Sequence, residues 1–380
     1  MILGINASRG RSGGARAHLI GMLSEADPEA YGCSQVHVWS YPGLLGALPD
    51  RPWLVRHAPA PLEGSLLSQL RWERYALPRA FREVEGTILL NIDAGTVSRV
   101  RPAVTMSRDM LSYEPGEAER YGLKPWRLRL ILLRHLQNRS LRAAQGAVFL
   151  THYAGEMIQR SCGRLENVAY IPHGVGEAFR QPEPSQRWPM DRTRPIEVLY
   201  ISPVWRFKHQ WHVVEAIAAL RDKGHDIHLT LAGDGETDMI ERLHRQMAES
   251  DPEGRFVTHL GHVDHHNLPA LTGKADLYVF ASSCENMPNT VLEGMAAGLP
   301  VASSDRGPMP EIVAEGGVYF DPEDPGAIAA AVERLIEDAD LRRQVATRAH
   351  HLARQYSWRR CADETFAFLA GTARRHGGRG

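Results

Sequence analysis

Short runs of apolar and β-branched residues alternate with longer stretches of helical periodicity along the whole chain. That alternation predicts an α/β protein with mostly parallel sheets. In the first half, strands are expected near 2–6, 35–40, 87–92, 102–107, 146–151 and 168–172, and helices near 14–26, 62–84, 118–144 and 152–161. The rhythm stops between Gln181 and Pro195, where Pro182, Pro184, Pro189 and Pro195 stand among polar residues, the composition of a linker. It restarts with strands at 196–202, 226–232, 257–260, 275–281 and 300–303 and a helix at 209–223, and the closing stretch reads as helical.

The expected organisation is α/β, with two Rossmann-like doubly wound domains facing a cleft. One covers 1–180, a linker covers 181–195, a second domain covers 196–355, and 356–380 holds a final helix. The Gly/Arg-rich tail from Gly371 to Gly380 reads as frayed. In doubly wound sheets ligands collect at the carboxyl ends of the strands, so chemistry is sought in the strand-end loops.

Composition narrows the function classes. The 380 residues suffice for two domains with their own cores, and 43% hydrophobic with 23% charged residues is ordinary for globular proteins. A net charge of −1 gives no overall attraction to nucleic acid, so no nucleic-acid partner is expected. Four scattered cysteines (Cys33, Cys162, Cys284, Cys361) form no Cys-x-x-Cys unit, which favours reduced thiols over disulfides or a zinc site. No apolar run approaches the roughly 20 residues of a membrane span. The opening Met1-Ile2-Leu3-Gly4-Ile5-Asn6 reads as a strand rather than a signal peptide. A cytoplasmic protein is expected.

The most informative stretch is 282–300. A β-like run, Ala275 to Ala281, leads into Ser282-Ser283-Cys284-Glu285-Asn286-Met287-Pro288-Asn289-Thr290, then Val291-Leu292-Glu293-Gly294 and a stop at Gly298-Leu299-Pro300. Pro288 suits a first helical position, where its missing N–H had no partner to lose. Glu285 then belongs to the loop and Glu293 to the second helical turn. Unpaired N–H groups at the helix start, with the positive end of the helix dipole, form an anion site between the two carboxylates. A diphosphate at the helix tip with sugar hydroxyls on the acids fits this pattern; an ordinary strand–loop–helix unit fits it too.

Three further strand-end loops carry candidate groups. Gly10-Arg11-Ser12-Gly13-Gly14 follows the first strand, and its paired glycines would permit positive φ and close backbone approach, as a phosphate loop or a tight turn. Ser202-Pro203-Val204-Trp205-Arg206-Phe207-Lys208 brings two cations to a strand end, Arg able to grip phosphate bidentately and Lys as a point charge. Ser107-Arg108-Asp109 follows the strand at 102–107 and would face the cleft.

Other features read more plainly. His262, Asp264, His265 and His266 crowd one turn without the spacing of a metal site, and Asp338-Ala339-Asp340 sits in an Arg-rich helical region as solvated surface. Between Arg120 and Arg142 there are seven Lys/Arg and no acid, with Leu123, Trp126, Leu130, Leu133 and Leu136 at helical spacing. This suits either a helix lying on an anionic membrane surface or a core helix with a basic outer face.

With these motifs placed on strand ends, the chain resembles the GT-B retaining glycosyltransferases of family 4, the group 1 glycosyl transferases, over nearly its whole length. The segment Ser283–Pro288 continuing through Leu292–Val301 carries the resemblance most specifically. Ala232-Gly233-Asp234-Gly235, Ile171-Pro172-His173-Gly174-Val175 and Lys208-His209-Gln210 also match landmarks of that family.

The resemblance implies roles. Glu285 would lie by the donor sugar, with Asn286 beside it, and Glu293 would hydrogen-bond the ribose. Arg206 and Lys208 would bind the diphosphate, aided by N–H groups in the run Met287-Pro288-Asn289-Thr290. Gly13 and Gly14 would close over the donor, Gly233 would lie beside it, and His262 and Val263 would offer backbone contacts to the base. The final helix would cross back to the first domain. Two departures stand out: many relatives carry a histidine where this chain has Ser107-Arg108-Asp109, and Arg206 is unusually close to Lys208. Arg108 and Asp109 are therefore read as acceptor-side candidates.

The implied activity is transfer of a hexosyl or N-acetylhexosaminyl group from a nucleotide-diphosphate sugar to an acceptor hydroxyl, with retention and with no metal or other cofactor. The basic amphipathic stretch points to an acceptor glycan, or a lipid-linked glycan of cell-surface polysaccharide or glycolipid assembly, and to peripheral attachment on the inner face of the membrane. The rival readings are a non-catalytic nucleotide-sugar-binding or membrane-scaffold subunit and a GT-B nucleotide-sugar epimerase.

Overall fold

A computed structural model of the chain describes residues 1–11, 13–122, 125–181, 188 and 194–376. They fall into two units: Met1–Gly174 with Ser357–Gly380, and Val175–Tyr356.

In the first unit the strands are β1 Ile2–Asn6, β2 Gln35–Trp39, β3 Leu54–His57, β4 Ile88–Asn91, β5 Ala103–Met106, β6 Gly146–Phe149 and β7 Val168–Tyr170. Its helices are α1 Gly13–Glu25, α2 Pro42–Leu45, α3 Leu66–Arg71, α4 Leu77–Glu83, α5 Pro125–Ala143 and α6 His152–Cys162. The sheet runs β3-β2-β1-β4-β5-β6-β7, all parallel. Central strands such as Ile88-Leu89-Leu90-Asn91 are buried along their length, as a sheet covered on both faces requires.

The second unit holds β8 Ile196–Ile201, β9 Ile227–Ala232, β10 Val257–His259, β11 Leu277–Phe280, β12 Val301–Ser304 and β13 Gly317–Phe320. Its helices are α7 Gln210–Asp222, α8 Thr237–Ser250, α9 Leu268–Thr272, α10 Asn289–Ala296, α11 Met309–Val313, α12 Pro325–Glu337 and α13 Ala339–Ala353. The order is β10-β9-β8-β11-β12-β13, again parallel throughout. The last helix, α14 Trp358–His376, belongs to the first unit and packs on α1, where Gly21 leaves room for the Trp358 ring.

Each sheet reverses its winding once, between β1 and β4 in the first unit and between β8 and β11 in the second. The loops after such neighbouring strands diverge to opposite sides and leave a crevice at the carboxyl end of the sheet.

Several sequence expectations are corrected. β3 and β13 were not among the expected strands. The expected helix at 62–84 is interrupted by a π-helical turn, Trp72–Ala76. The one expected at 118–144 begins at Pro125, because a 3-10 turn and Gly122 at φ 57° precede it. Its buried face is Leu130, Gln137, Asn138 and Leu141, while Leu128 and Leu132 are exposed. Helix α14 continues through Gly371 to His376, within the tail expected to fray. Most of the expected linker 181–195, together with Ser12, Leu123, Lys124 and 377–380, lies outside the described residues. Among the described residues no helix is long and apolar enough to cross a membrane.

Candidate functional site

The crevice of the second unit collects its chemistry from the two strands beside the winding reversal. The loop after β8 supplies Lys208 and the loop after β11 supplies Glu285. Hydrogen bonds to one carbonyl fasten one loop to the other: Ser283 N donates to Phe207 O at 2.9 Å, and the Ser282 hydroxyl to the same oxygen at 3.3 Å. Tyr200, at the end of β8, donates its hydroxyl to Lys208 O at 2.6 Å. His209 turns the chain into α7 with φ 49°, a left-handed conformation that costs a non-glycine residue on the order of 1–3 kcal/mol.

These constraints bring Lys208 Nζ into an ion pair with Glu285 Oε1. The lysine side chain is only 7% exposed and the carboxylate 12%. Phe280 and Phe207 stand under the ammonium, with ring centroids at 5.0 and 5.4 Å, adding cation–π attraction. An ammonium has three N–H donors, so one is taken by Glu285 and the others remain for an anion.

Pro288 is the N-cap of α10, with extended backbone, and Asn289 is the first helical residue. This corrects the expected placement of Pro288 by one residue, and the N–H groups of the first turn stay without intrahelical partners. Asn289 Oδ1 is buried with no hydrogen-bond partner among the described residues. Asn286 and Met287 are buried in the approach to the helix, and Thr290 hydrogen-bonds the buried Tyr278, whose phenol burial pushes up. Gly294 lies flat on that Tyr278 ring, where a Cβ would stand 3.0 Å from it. The contact places Glu293 on the inner face of the helix, buried at 4% exposure.

Glu293 Oε1 accepts from His265 Nε2 at 2.9 Å, while Oε2 has no partner among the described residues. Through this hydrogen bond Glu293 raises the pKa of His265. His265 also leans on Phe179, ring centroids 5.4 Å apart. Sequence reasoning weighed His265 only as a metal ligand. Its signal was its place on the turn after β10, opposite the glutamate helix.

Other expected residues are distributed differently. Arg206 turns from Lys208 and pairs with Asp238 of α8 at 2.9 Å. His262 is exposed and 3.4 Å from Asp264, and Val263 is half-buried beside it. Gly233, at φ 145°, donates its N–H to Gly261 O at 2.8 Å, and a Cβ there would meet Ser202 O at 2.1 Å. The loop after β9 can approach that after β8 only because this residue is glycine.

In the first unit Gly13 and Gly14 open α1 in helical conformation; neither has positive φ, against the sequence expectation. A Cβ on Gly14 would lie 3.6 Å from an Arg108 Nη. Burial lowers the pKa of Arg108 to about 10, against the pull of Asp93. Asp109 is engaged locally, accepting from Leu111 N at 3.0 Å and Gln137 Nε2 at 3.2 Å, and burial pushes its carboxyl up.

The metal readings find plain explanations. Asp338 caps α13, accepting from Asp340 N and Leu341 N. Among the described residues one metal-sized cluster appears, His225 with Glu333 and Glu337, and Lys223 already neutralises Glu333 there at 2.6 Å.

Comparison with known proteins places this geometry. Residues 195–338 match the family described as Glycosyl transferases group 1. The glycogen synthase of Mycobacterium tuberculosis is 34% identical over 211 residues, 53% of this chain and 48% of that one. The O-antigen chain mannosyltransferase B of Escherichia coli is 32% identical over 120 residues, 32% of each chain. The chain thus spans half or less of the length of these two relatives. The structure of Anabaena HepE in complex with UDP superposes with a TM-score of 0.72 at 20% identity, covering 97% of this chain and 99% of that one. Residues 195–338 are thus similar to the group 1 glycosyl transferases, and the chain shares its two-sheet GT-B fold with HepE.

Proposed function

We propose that the chain is a retaining glycosyltransferase of family 4, moving a hexosyl or N-acetylhexosaminyl group from a nucleotide-diphosphate sugar to an acceptor hydroxyl. The observation that carries this reading is the buried Lys208–Glu285 pair beside the open N-terminus of α10, with Glu293 one turn further on. Cation, helix dipole and two carboxylates stand on the loops after β8 and β11 and on α10 of one sheet, groups suited to a diphosphate, a sugar and a ribose. That HepE is held with UDP supports a nucleotide as ligand of the fold.

In this reading Lys208 and the α10 N–H groups stabilise the departing diphosphate as positive charge grows on the sugar ring. Removing one such donor typically costs about a hundredfold or more in rate. The leaving phosphate itself takes the acceptor proton on the face it vacates, so the stereochemistry is retained and no separate base is required. No metal takes part. Glu285 holds sugar hydroxyls, and Glu293 takes the ribose once His265 releases it. Arg206 and Gly233 shape the phosphate end, His262 and Val263 the base end. In the first unit, the family resemblance makes Gly13 and Gly14 candidates for the donor, and Arg108 and Asp109 candidates for the acceptor.

The acceptor is a glycan or lipid-linked glycan of cell-surface polysaccharide or glycolipid assembly, a reading supported by the O-antigen relative and by the basic helix α5. The protein would then work in the cytoplasm, peripherally attached to the membrane.

Incubation with UDP-, GDP-, dTDP- and ADP-sugars tests the proposal. Slow donor hydrolysis, or transfer to a supplied glycan with the donor's anomeric configuration kept, is expected for one of them. Tight binding without turnover would assign a non-catalytic subunit, and a changed sugar on an intact diphosphate an epimerase.

A further inference from the structure

The β4–β5 connection, residues 92–102, contains no helix. The sheet face between the 66–83 helical segment and α5 therefore lacks the crossover helix that a doubly wound sheet supplies between neighbouring strands. Two adjoining cavities fill the gap, of about 350 and 420 Å³, sharing Arg74, Thr96, Arg139 and Ser140. They form one groove with two chemically different lobes.

The first lobe is polar and cationic. The buried Asn91 and Thr105, near the ends of β4 and β5, make its floor, and Arg74, Arg99, Arg101 and Arg139 surround it. The second lobe is apolar, walled by Leu67, Leu70, Tyr75 and Leu136, with Arg71 at its margin. No Asp or Glu lines either lobe, and the five arginine side chains make no hydrogen bond or ion pair among the described residues. The buried Glu73 stands behind this wall, its carboxylate already taken up by Asn6 Nδ2 and by Thr96 Oγ1 and Val97 N of the groove lining. Ser140 Oγ, shared by both lobes, is buried without a partner among the described residues.

Unpaired cations converging on a cavity call for an anion, since like charges held together without a counter-ion repel. The apolar lobe adds a second requirement. Leu67 is 73% and Tyr75 66% exposed, and Leu132 and Leu128 continue the face of Leu136 along α5 in four-residue steps, 60% and 59% exposed. A nucleic acid or a free phosphate would satisfy the arginines and leave this strip in water. An amphiphile satisfies both.

We propose that this groove binds a single anionic phospholipid, the phosphate among Arg74, Arg139 and Ser140 and one hydrocarbon chain along Leu67, Tyr75 and Leu136. The exposed leucines of α3 and α5 then rest in the surrounding lipid surface. The site is separate from the Lys208 crevice and does not depend on the transferase reading.

Flotation of the full chain with phosphatidylcholine vesicles, with and without phosphatidylglycerol, tests it. Binding is expected only with phosphatidylglycerol. Arg74→Glu with Arg139→Glu should weaken it at least about tenfold, because each cation contributes about 1 kcal/mol at an anionic surface. Leu67→Ser with Tyr75→Ser should weaken binding of short-chain phosphatidylglycerol below its micelle concentration, and Lys208→Ala should leave both unchanged. Thermal melts establish that the exposed-site variants fold. Unchanged flotation of the charge-reversed variant would overturn the proposal. So would glycerol phosphate binding as tightly as the short-chain lipid, or an oligonucleotide binding where vesicles do not.

Discussion

His265 Nε2 stands 2.9 Å from Glu293 Oε1, so the carboxylate proposed for the ribose already holds a side-chain partner. The two groups come from different segments, the turn after β10 and the second turn of α10, and Glu293 is buried while His265 is largely exposed. A ribose hydroxyl that takes Oε1 must therefore exchange one hydrogen bond for another, while Oε2 is open to it.

This exchange predicts a pH dependence. The Glu293 hydrogen bond raises the His265 pKa above its ordinary 6.5. A raised value means the folded state holds the proton more tightly, so the stabilisation is complete below about pH 6.5 and is lost as pH rises through the folded value. The melting-temperature gap between the wild type and His265→Ala should be widest near pH 6 and close toward pH 9. Nucleotide affinity should strengthen over the same interval, as the competing imidazolium disappears, and His265→Ala should flatten that trend. A gap that does not vary with pH would refute the ion pair.

The Lys208–Glu285 pair makes a different demand on mutagenesis. Lys208→Ala should abolish transfer, but it also leaves Glu285 buried without its cation, and breaking such a pair typically costs about 3–5 kcal/mol. Lys208→Met combined with Glu285→Gln removes both charges at nearly constant volume. That double variant should recover most of the lost melting temperature and none of the activity. Transfer by either variant at near wild-type rate would remove Lys208 from the mechanism.

Gly233 links a backbone requirement to the same crevice. Alanine there forces a Cβ against Ser202 O and an L-residue into φ 145°, so backbone strain alone costs on the order of 1–3 kcal/mol. The loop after β8 must yield, and that loop carries Lys208. Gly233→Ala should lower the melting temperature by several degrees and reduce kcat by more than it raises KM. Wild-type kcat in a folded variant would show that the β8 loop tolerates the shift.

Much of this was legible in the sequence because it is local. Alternating apolar runs and helical periods gave strand-end loops their places, and Lys208, Glu285 and Glu293 follow strands whose composition is unmistakably β. The missed strands have physical excuses. β3 is an edge strand reading Leu54-Val55-Arg56-His57, only half-buried, and β13 is four residues between two helical stretches. The partners of the side chains were less legible, because they depend on tertiary distance. Nothing in the order Arg206-Phe207-Lys208 tells that Lys208 meets Glu285 while Arg206 turns to Asp238. The groove over β4 and β5 was hidden for a similar reason: it arises from a helix the chain does not make.

Of the histidines of the first unit whose pKa is lowered, His18 and His173 are the most deeply buried, and their pH response should run opposite to that of His265. His18 and His173 meet edge to face with ring centroids 4.5 Å apart, against Trp358, and both are buried. Burial holds both pKa values well below 6.5, and the charge of Arg108 presses both further down. The folded state therefore keeps both rings neutral while the unfolded chain takes up protons below pH 6.5. Stability should fall with acidity over that range, by about 1.4 kcal/mol per pH unit for each histidine until its native pKa is reached. Amide exchange in α1 and α14 should accelerate steeply between pH 6.5 and 5, beyond the intrinsic pH effect on exchange. His18→Gln should make that acceleration shallower, because one buried proton acceptor is gone. An unchanged acid slope in His18→Gln would place the acid-sensitive group elsewhere.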